Sequence, residues 1–224
     1  AVYVAVPAER EAAQRMVDIF RPLYEDEHIM KVGQNIKYDY EVLRRYGIEV
    51  RGPMFDTMLA HYIVQPELHH NMDYMAETLL GYQTIHIDQL IGPRGKGQRS
   101  MRDLQPQEVY EYAAEDADVT LRLKNVLEQK LKEVDGERLF YDIEMPLVPV
   151  LAEMELTGVC LDTAALAETS KNFNHRLAEY EQKIYAEAGE TFNISSPKQV
   201  GDILFGKMKI VDKPKKTKTG QYVT

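Results

Sequence analysis

Along most of this chain the apolar positions recur at steps of three and four, the spacing of one helical face. The longest such run extends from about Gln107 to Val134, with Val109, Ala113, Thr120, Leu123, Leu127 and Leu131 on a single stripe. One slot in that stripe is taken by Asp116. A carboxylate among buried apolar side chains is costly unless a partner offsets its desolvation. Tyr112 precedes it by one turn, so phenol and carboxylate share a face. An acid and a phenol stand where packing alone calls for leucine.

The same reading predicts the remaining elements in order. Val2 to Val6 reads as a short strand closed by Pro7, and Ala8 to Glu25 as an amphipathic helix on Ala12, Val17, Phe20 and Tyr24. Pro22 ends that helix or bends its last turn. Ile29 to Gly33 reads as a buried strand, Asn35 to Tyr46 as a helix stopped by Gly47, and Ile48 to Val50 as another strand. Phe55 to Val64 is a helix with Phe55, Leu59, Tyr62 and Ile63 facing inward; Asn71 to Leu80 is a further helix, closed by Gly81. Alternating helices and short strands predict an α/β domain on a central sheet.

The loop Gly92 to Arg99 is basic and glycine-rich but lacks the Lys-Ser/Thr helix start of a P-loop, which makes it a surface loop. Beyond Asp135-Gly136 no core strand is legible and the helices lengthen, so a domain boundary is expected near residue 140. Ile143 to Leu156 is followed by a turn with Asp162 as N-cap. Ala164 to Ala188 then carries Leu166, Phe173, Leu177, Tyr180 and Ile184 at helical spacing. Ser196-Pro197 is a strong helix start, and the chain closes in a lysine-rich tail from Lys207 to Lys218.

Composition changes this picture little. With 224 residues, 44% hydrophobic and 28% charged, the chain is an ordinary globular sequence, and no apolar run reaches the ~20 residues that span a bilayer. The single cysteine, Cys160, excludes an internal disulfide framework and fits a reducing, cytoplasmic setting. A net charge of -9 excludes a uniformly basic surface, while local patches and bound cations remain available for nucleic acid.

A second polar intrusion matches the first. In the helix from Asn35 the apolar stripe is Ile36, Leu43 and Tyr46, and its missing slot is Asp39, with Asn35 one turn earlier. Two inward carboxylates on two helices converge either on a hard divalent cation such as Mg²⁺ or Mn²⁺, or on neighbouring hydrogen-bond donors. Asp56 reads as the cap of the helix that starts at Thr57, and Asp118, about 200° around the helix from Asp116, as solvated.

Five segments resemble one family. Lys31-Val-Gly-Gln-Asn35-Ile-Lys-Tyr38-Asp39, Phe55-Asp56-Thr57-Met58-Leu59 and Tyr112-Ala-Ala-Glu-Asp116-Ala-Asp118-Val-Thr120 are similar to the proofreading domain of bacterial family A DNA polymerases. Ile143 to Val150 and Phe192 to Gln199 resemble the start of the polymerase region, the thumb, of the same enzymes.

The resemblance implies an RNase H-like (DnaQ-like) 3′→5′ exonuclease domain over residues 1–140 and an all-α thumb segment over 141–224. It implies a site with two Mg²⁺ or Mn²⁺ ions held by four acids, with Asp39 and Asp116 as metal ligands and Tyr112 orienting the attacking water. Gln34, Asn35 and Met101 would contact substrate, His69 and His70 would stand where the family often has a basic residue, and the lysine tail would meet duplex phosphates. The partner is DNA: a single-stranded 3′ end at the exonuclease site and duplex near the thumb, with no membrane involved.

The family's first motif, an Asp-x-Glu on an opening strand, is expected upstream of Ala1. The only Asp-x-Glu here, Asp142-Ile-Glu144, sits at the domain boundary with its acids pointing apart. The chain is therefore expected to be an internal fragment with half of a metal cage, nearly inactive alone. Two other readings are a degenerate exonuclease domain serving as a DNA-binding scaffold and a free-standing 3′→5′ exoribonuclease of the same superfamily.

Overall fold

The computed structural model describes residues 1–223, which form two compact units, 1–158 and 159–223. In the first, α1 (Arg10–Glu25) is opened by the Glu9 carboxylate, which accepts from the backbone N–H of Glu11 and Ala12 at 2.7 Å each. Strand β1 (Lys31–Gly33) leads into α2 (Ile36–Arg45), and α2 is the crossover to β2 (Met54–Asp56). The strands pair in parallel, Lys31 with Met54, Val32 with Phe55 and Gly33 with Asp56. A parallel pair needs such a crossover, so α2 is obligatory to the sheet. Next come α3 (Thr57–Val64), α4 (Met72–Met75) with a wide π-type turn over Ala76–Leu80, and α5 (Ile87–Ile91). The long α6 (Pro106–Glu133) is opened by Glu108, whose carboxylate accepts from the Gln105 N–H at 2.8 Å. Two further helices, α7 (Glu137–Leu139) and α8 (Met145–Thr157), complete the unit.

The core lies where α6 crosses α3 and the sheet. Leu123, Leu127 and Leu131 of α6 are fully buried against Phe55 of β2, and the Phe55 and Phe140 rings pack at 4.7 Å between centroids. The stripe read from the sequence is thus the buried face of α6: Val109, Thr120, Leu123, Leu127 and Leu131 are buried and Ala113 is half-buried.

Several expectations are corrected. Val2 to Val6 forms no strand, and Val2 is 83% exposed; alternating sequence makes a strand only when a neighbour supplies the hydrogen-bond ladder. Ile48 to Val50 is not a strand either. Ile48 is fully buried as a plug after α2, and the partner of β1 is Met54–Asp56, where helix had been expected from Phe55. The inner face of α3 is Thr57, Ala60 and His61, while Tyr62 is 56% exposed. The first unit is accordingly mostly helical around a small two-stranded sheet. Its packing extends to Gly158, with Phe140, Met145, Val148 and Ala152 all buried in it.

The second unit contains α9 (Thr163–Ala188) and α10 (Pro197–Gly201), the latter continued by a wide turn over Asp202–Lys207. Asp162 caps α9 through the Ala165 N–H at 2.9 Å, and Ser196 caps α10, as their sequences announce. Lys207 of the basic tail donates to the Ala188 carbonyl at the C-terminus of α9 and to Glu190, at 2.7 Å each. A cation there complements the helix dipole. The apolar row on α9 is not buried within the described residues: Leu166, Phe173, Leu177 and Tyr180 are each at least half exposed.

Candidate active site

Two carboxylates reach one cleft from different elements. The cleft, about 800 Å³, is walled by β1, the first turns of α2 and the middle of α6. Asp39, Asp116, Gln34, Lys31, Met72 and Thr120 are among its lining residues. Asp116 comes from the gap in the α6 stripe. Its Oδ1 is buried with no hydrogen-bond partner among the described residues. Burial pushes its carboxyl up to about 6; the Tyr112 phenol opposes that rise, and the charges of Glu115 and Asp73 add to it. Tyr112 is pushed up to about 12 by burial first and the Asp116 charge second, so it is a protonated O–H donor at any physiological pH. Asp39 is exposed on the surface of the cleft, and its carboxyl is raised first by partial desolvation there and then by the negative charge of Asp56.

An orphaned buried carboxylate oxygen lining the same cleft as a second carboxylate fits a hard divalent cation, whose ligands are oxygens. Among the described residues no three His, Cys, Asp or Glu side chains gather as a metal cluster.

The turn that presents Asp39 is held from below. Asn35 precedes α2 in the left-handed conformation, with φ 60 and ψ 52, and its side chain does not cap the helix. The cap is supplied by Asp56, only 2% exposed, whose carboxylate accepts from the N–H groups of Ile36 at 2.8 Å and Asn35 at 3.2 Å. The same carboxylate caps α3 through Met58 at 2.8 Å and Leu59 at 3.3 Å. Asp56 is the α3 cap expected from the sequence; its hold on α2, twenty residues away, was not legible.

The other expected contacts divide. Gln34 lines the cleft but is engaged: its amide donates to the His70 carbonyl at 2.7 Å and its oxygen accepts from the Thr57 hydroxyl. Asn35 is exposed and its amide is free of the cap. Met101 sits half-buried on a single 3₁₀ turn and is not part of the cleft lining. Met72, which sequence reasoning passed over, does line the cleft, with its sulfur 3.5 Å from the Thr120 hydroxyl. Asp118 is solvated and paired with Arg122 at 2.7 Å. His70 is committed to a ring contact, Nδ1 to Nδ1 of His61 at 2.7 Å, with His61 fully buried.

A βαβ unit with acids delivered from its crossover helix and from a long packing helix is an RNase H-like nuclease arrangement. The family profile described as 3'-5' exonuclease matches residues 1–132, and the profile described as DNA polymerase family A matches residues 163–224. The chain belongs to the 3'-5' exonuclease family, in the form joined to a family A polymerase segment. Proteins of these families depend on divalent metal ions.

Among its relatives, DNA polymerase I of Rhizobium leguminosarum is 44% identical over 216 residues, which is 96% of this chain and 21% of that protein. DNA polymerase I of Pseudomonas aeruginosa is 40% identical over 225 residues, 98% of this chain and 24% of that protein. The chain thus spans between a fifth and a quarter of the length of these relatives. A solved structure, the POL domain of Pol1 from M. smegmatis in complex with DNA primer-template and dNTP, superposes with a TM-score of 0.72 at 26% identity, over 98% of this chain and 34% of that one. NrnC of Brucella melitensis bound to pGG, at 24% identity and a TM-score of 0.50, shares the fold over 61% of this chain and 63% of that one. No helix among the described residues is long and apolar enough to cross a membrane.

Proposed function

We propose that the chain is the proofreading portion of a bacterial DNA polymerase I together with the start of its thumb. Residues 1–140 form the exonuclease domain and 141–224 open the polymerase domain. The site removes nucleotides from a single-stranded 3′ end of DNA, and the thumb segment lies near duplex in the parent enzyme. The observation that carries the reading is the pairing of Asp39 and Asp116 on the walls of one cleft, with Asp116 Oδ1 buried and unpartnered. The polymerase profile on residues 163–224 favours it over a free-standing exoribonuclease.

Asp39 and Asp116 would hold Mg²⁺ or Mn²⁺, two ions in the parent. Bound there, such ions lower the pKa of a coordinated water and stabilise a departing 3′ oxygen. The chain's own groups do the rest. Tyr112 keeps its proton and donates from its hydroxyl, which suits it to orient a water rather than to deprotonate one. Asn35, next in sequence to the cleft residue Gln34, offers an exposed amide free of the cap, suited to a terminal nucleotide held by polar and stacking contacts without base readout. Gln34 is itself steadied through His70 and Thr57.

The test is titration of the ¹⁵N-labelled chain with thymidine 5′-monophosphate in the presence of Mg²⁺. Amide shifts clustered at Asn35, Ala113 and Thr120 support the reading. Shifts scattered elsewhere, or none at millimolar nucleotide, contradict it. Mg²⁺-dependent release of nucleotides from single-stranded DNA that Asp116→Ala leaves unchanged would likewise contradict it.

A further inference from the structure

We propose that Asp56 is a positioning residue of this site: one buried carboxylate that caps two helices at once, and so fixes the turn that aims Asp39 while leaving Asn35 free for substrate. The inference rests on the exonuclease reading for its purpose but on geometry for its substance. A residue before the first turn of a helix ordinarily satisfies the orphan N–H groups with its own side chain, and asparagine is among the best at doing so. Asn35 holds that position before α2 and does not cap. Its backbone is in the left-handed region, φ 60, one of only three non-glycine residues with positive φ among those described. From there the N–H groups of Asn35 and Ile36 both point to the Asp56 carboxylate, at 3.2 and 2.8 Å.

Oδ1, which accepts the Asn35 N–H, also caps α3 through Met58 and Leu59, while Oδ2 is given to Ile36. Four N–H donors from two helix starts thus converge on a group that is 2% exposed, which leaves no room for Asp56 as a metal ligand. The neighbour Thr57 extends the clamp by donating to the Gly33 carbonyl at 3.1 Å and to Gln34. The result is a rigid junction of β1, β2, α2 and α3, with Asp39 one turn above it and the Asn35 amide released outward.

Serine separates the two jobs. Its hydroxyl caps the helix it directly precedes, but it is too short to reach across to α2. In the Asp56→Ser chain, hydrogen exchange at the amides of Asn35 and Ile36 is expected to accelerate about tenfold or more, while Met58 and Leu59 stay within about threefold of the parent. The Asn35 HN–Hα coupling is expected to leave its left-handed value. Paramagnetic broadening by Mn²⁺ is expected to fade around Asp39 and to persist around Asp116, a split that general destabilisation does not produce. Asp56→Asn, whose amide oxygen in the place of Oδ1 still serves Met58, Leu59 and Asn35, is expected to lose protection chiefly at Ile36, whose N–H meets Oδ2 in the parent.

Unchanged exchange and coupling at Asn35 would overturn the proposal. So would a uniform loss of protection across all four amides, which would make Asp56 an ordinary core residue. Should the parent chain show no Mn²⁺ broadening at either carboxylate, the exonuclease-site reading fails, while the amide exchange and the Asn35 coupling still decide the role of Asp56.

Discussion

The Tyr112 hydroxyl and the Asp116 carboxyl act on each other in opposite senses. The carboxylate charge raises the phenol, and the nearby phenol restrains a carboxyl that burial has lifted to about 6. Removing that hydroxyl, as in Tyr112→Phe, is therefore expected to raise the Asp116 pKa further with little loss of fold. A ¹³C carboxyl titration by NMR checks this; an unchanged or lower value would show that the phenol does not stabilise the carboxylate.

Asp116 also gives a pH dependence of stability whose sign is fixed. Its folded pKa, about 6, lies above the ordinary 3.8, so over that window the native state binds more protons than the unfolded chain. Stability from this group is present below the ordinary value and lost as pH rises through the folded one. Asp116→Asn is expected to be more stable than the parent at pH 7.5, by about 1 kcal/mol once solvent access to the site is allowed for, and indistinguishable near pH 4. Urea unfolding at the two pH values measures it.

The buried histidine pair runs the other way. Burial, then His70, lower the His61 pKa, and its Nδ1 lies 2.7 Å from Nδ1 of His70. The native state binds fewer protons than the unfolded chain below the ordinary histidine value of about 6.5. Stability is full above that pH and falls as pH drops below it. Hydrogen exchange around Gln34, whose amide bonds the His70 carbonyl, is expected to rise with acid in the parent and less so in His61→Gln.

The packing boundary has a direct consequence. A chain ending at residue 158 retains Phe140, Met145, Val148 and Ala152 in the first unit, whereas one ending at 140 exposes the core they cover. The longer truncation is expected to unfold cooperatively near the parent midpoint and the shorter to be molten or insoluble. Phe140→Ala in the full chain is expected to cost about 3–5 kcal/mol, read by urea unfolding.

Much of this was legible in the residues. The α6 stripe and its Asp116 gap follow from helical period alone, and capping chemistry marked Asp56, Asp162 and Ser196 correctly. The misses share one cause, pairing at a distance. Val2 to Val6 and Ile48 to Val50 have strand composition but no ladder partner, while Met54–Asp56 becomes a strand because β1 lies beside it. The double cap by Asp56 and the His61–His70 contact join residues remote in sequence, and local period carries no trace of either. Asp39 was read as an inward acid, and it proves instead to stand at the open side of the cleft.

The central claim is that Asp39 and Asp116 together form a hard-cation site, and Mn²⁺ broadening of the ¹⁵N-labelled chain at pH 7.5 tests it most directly. The account expects broadening centred on the residues around both acids, lost around the acid removed in Asp39→Asn or Asp116→Asn and only weakened around the other, and weakened as pH falls through about 6. Broadening spread over surface acids and indifferent to both substitutions would contradict it.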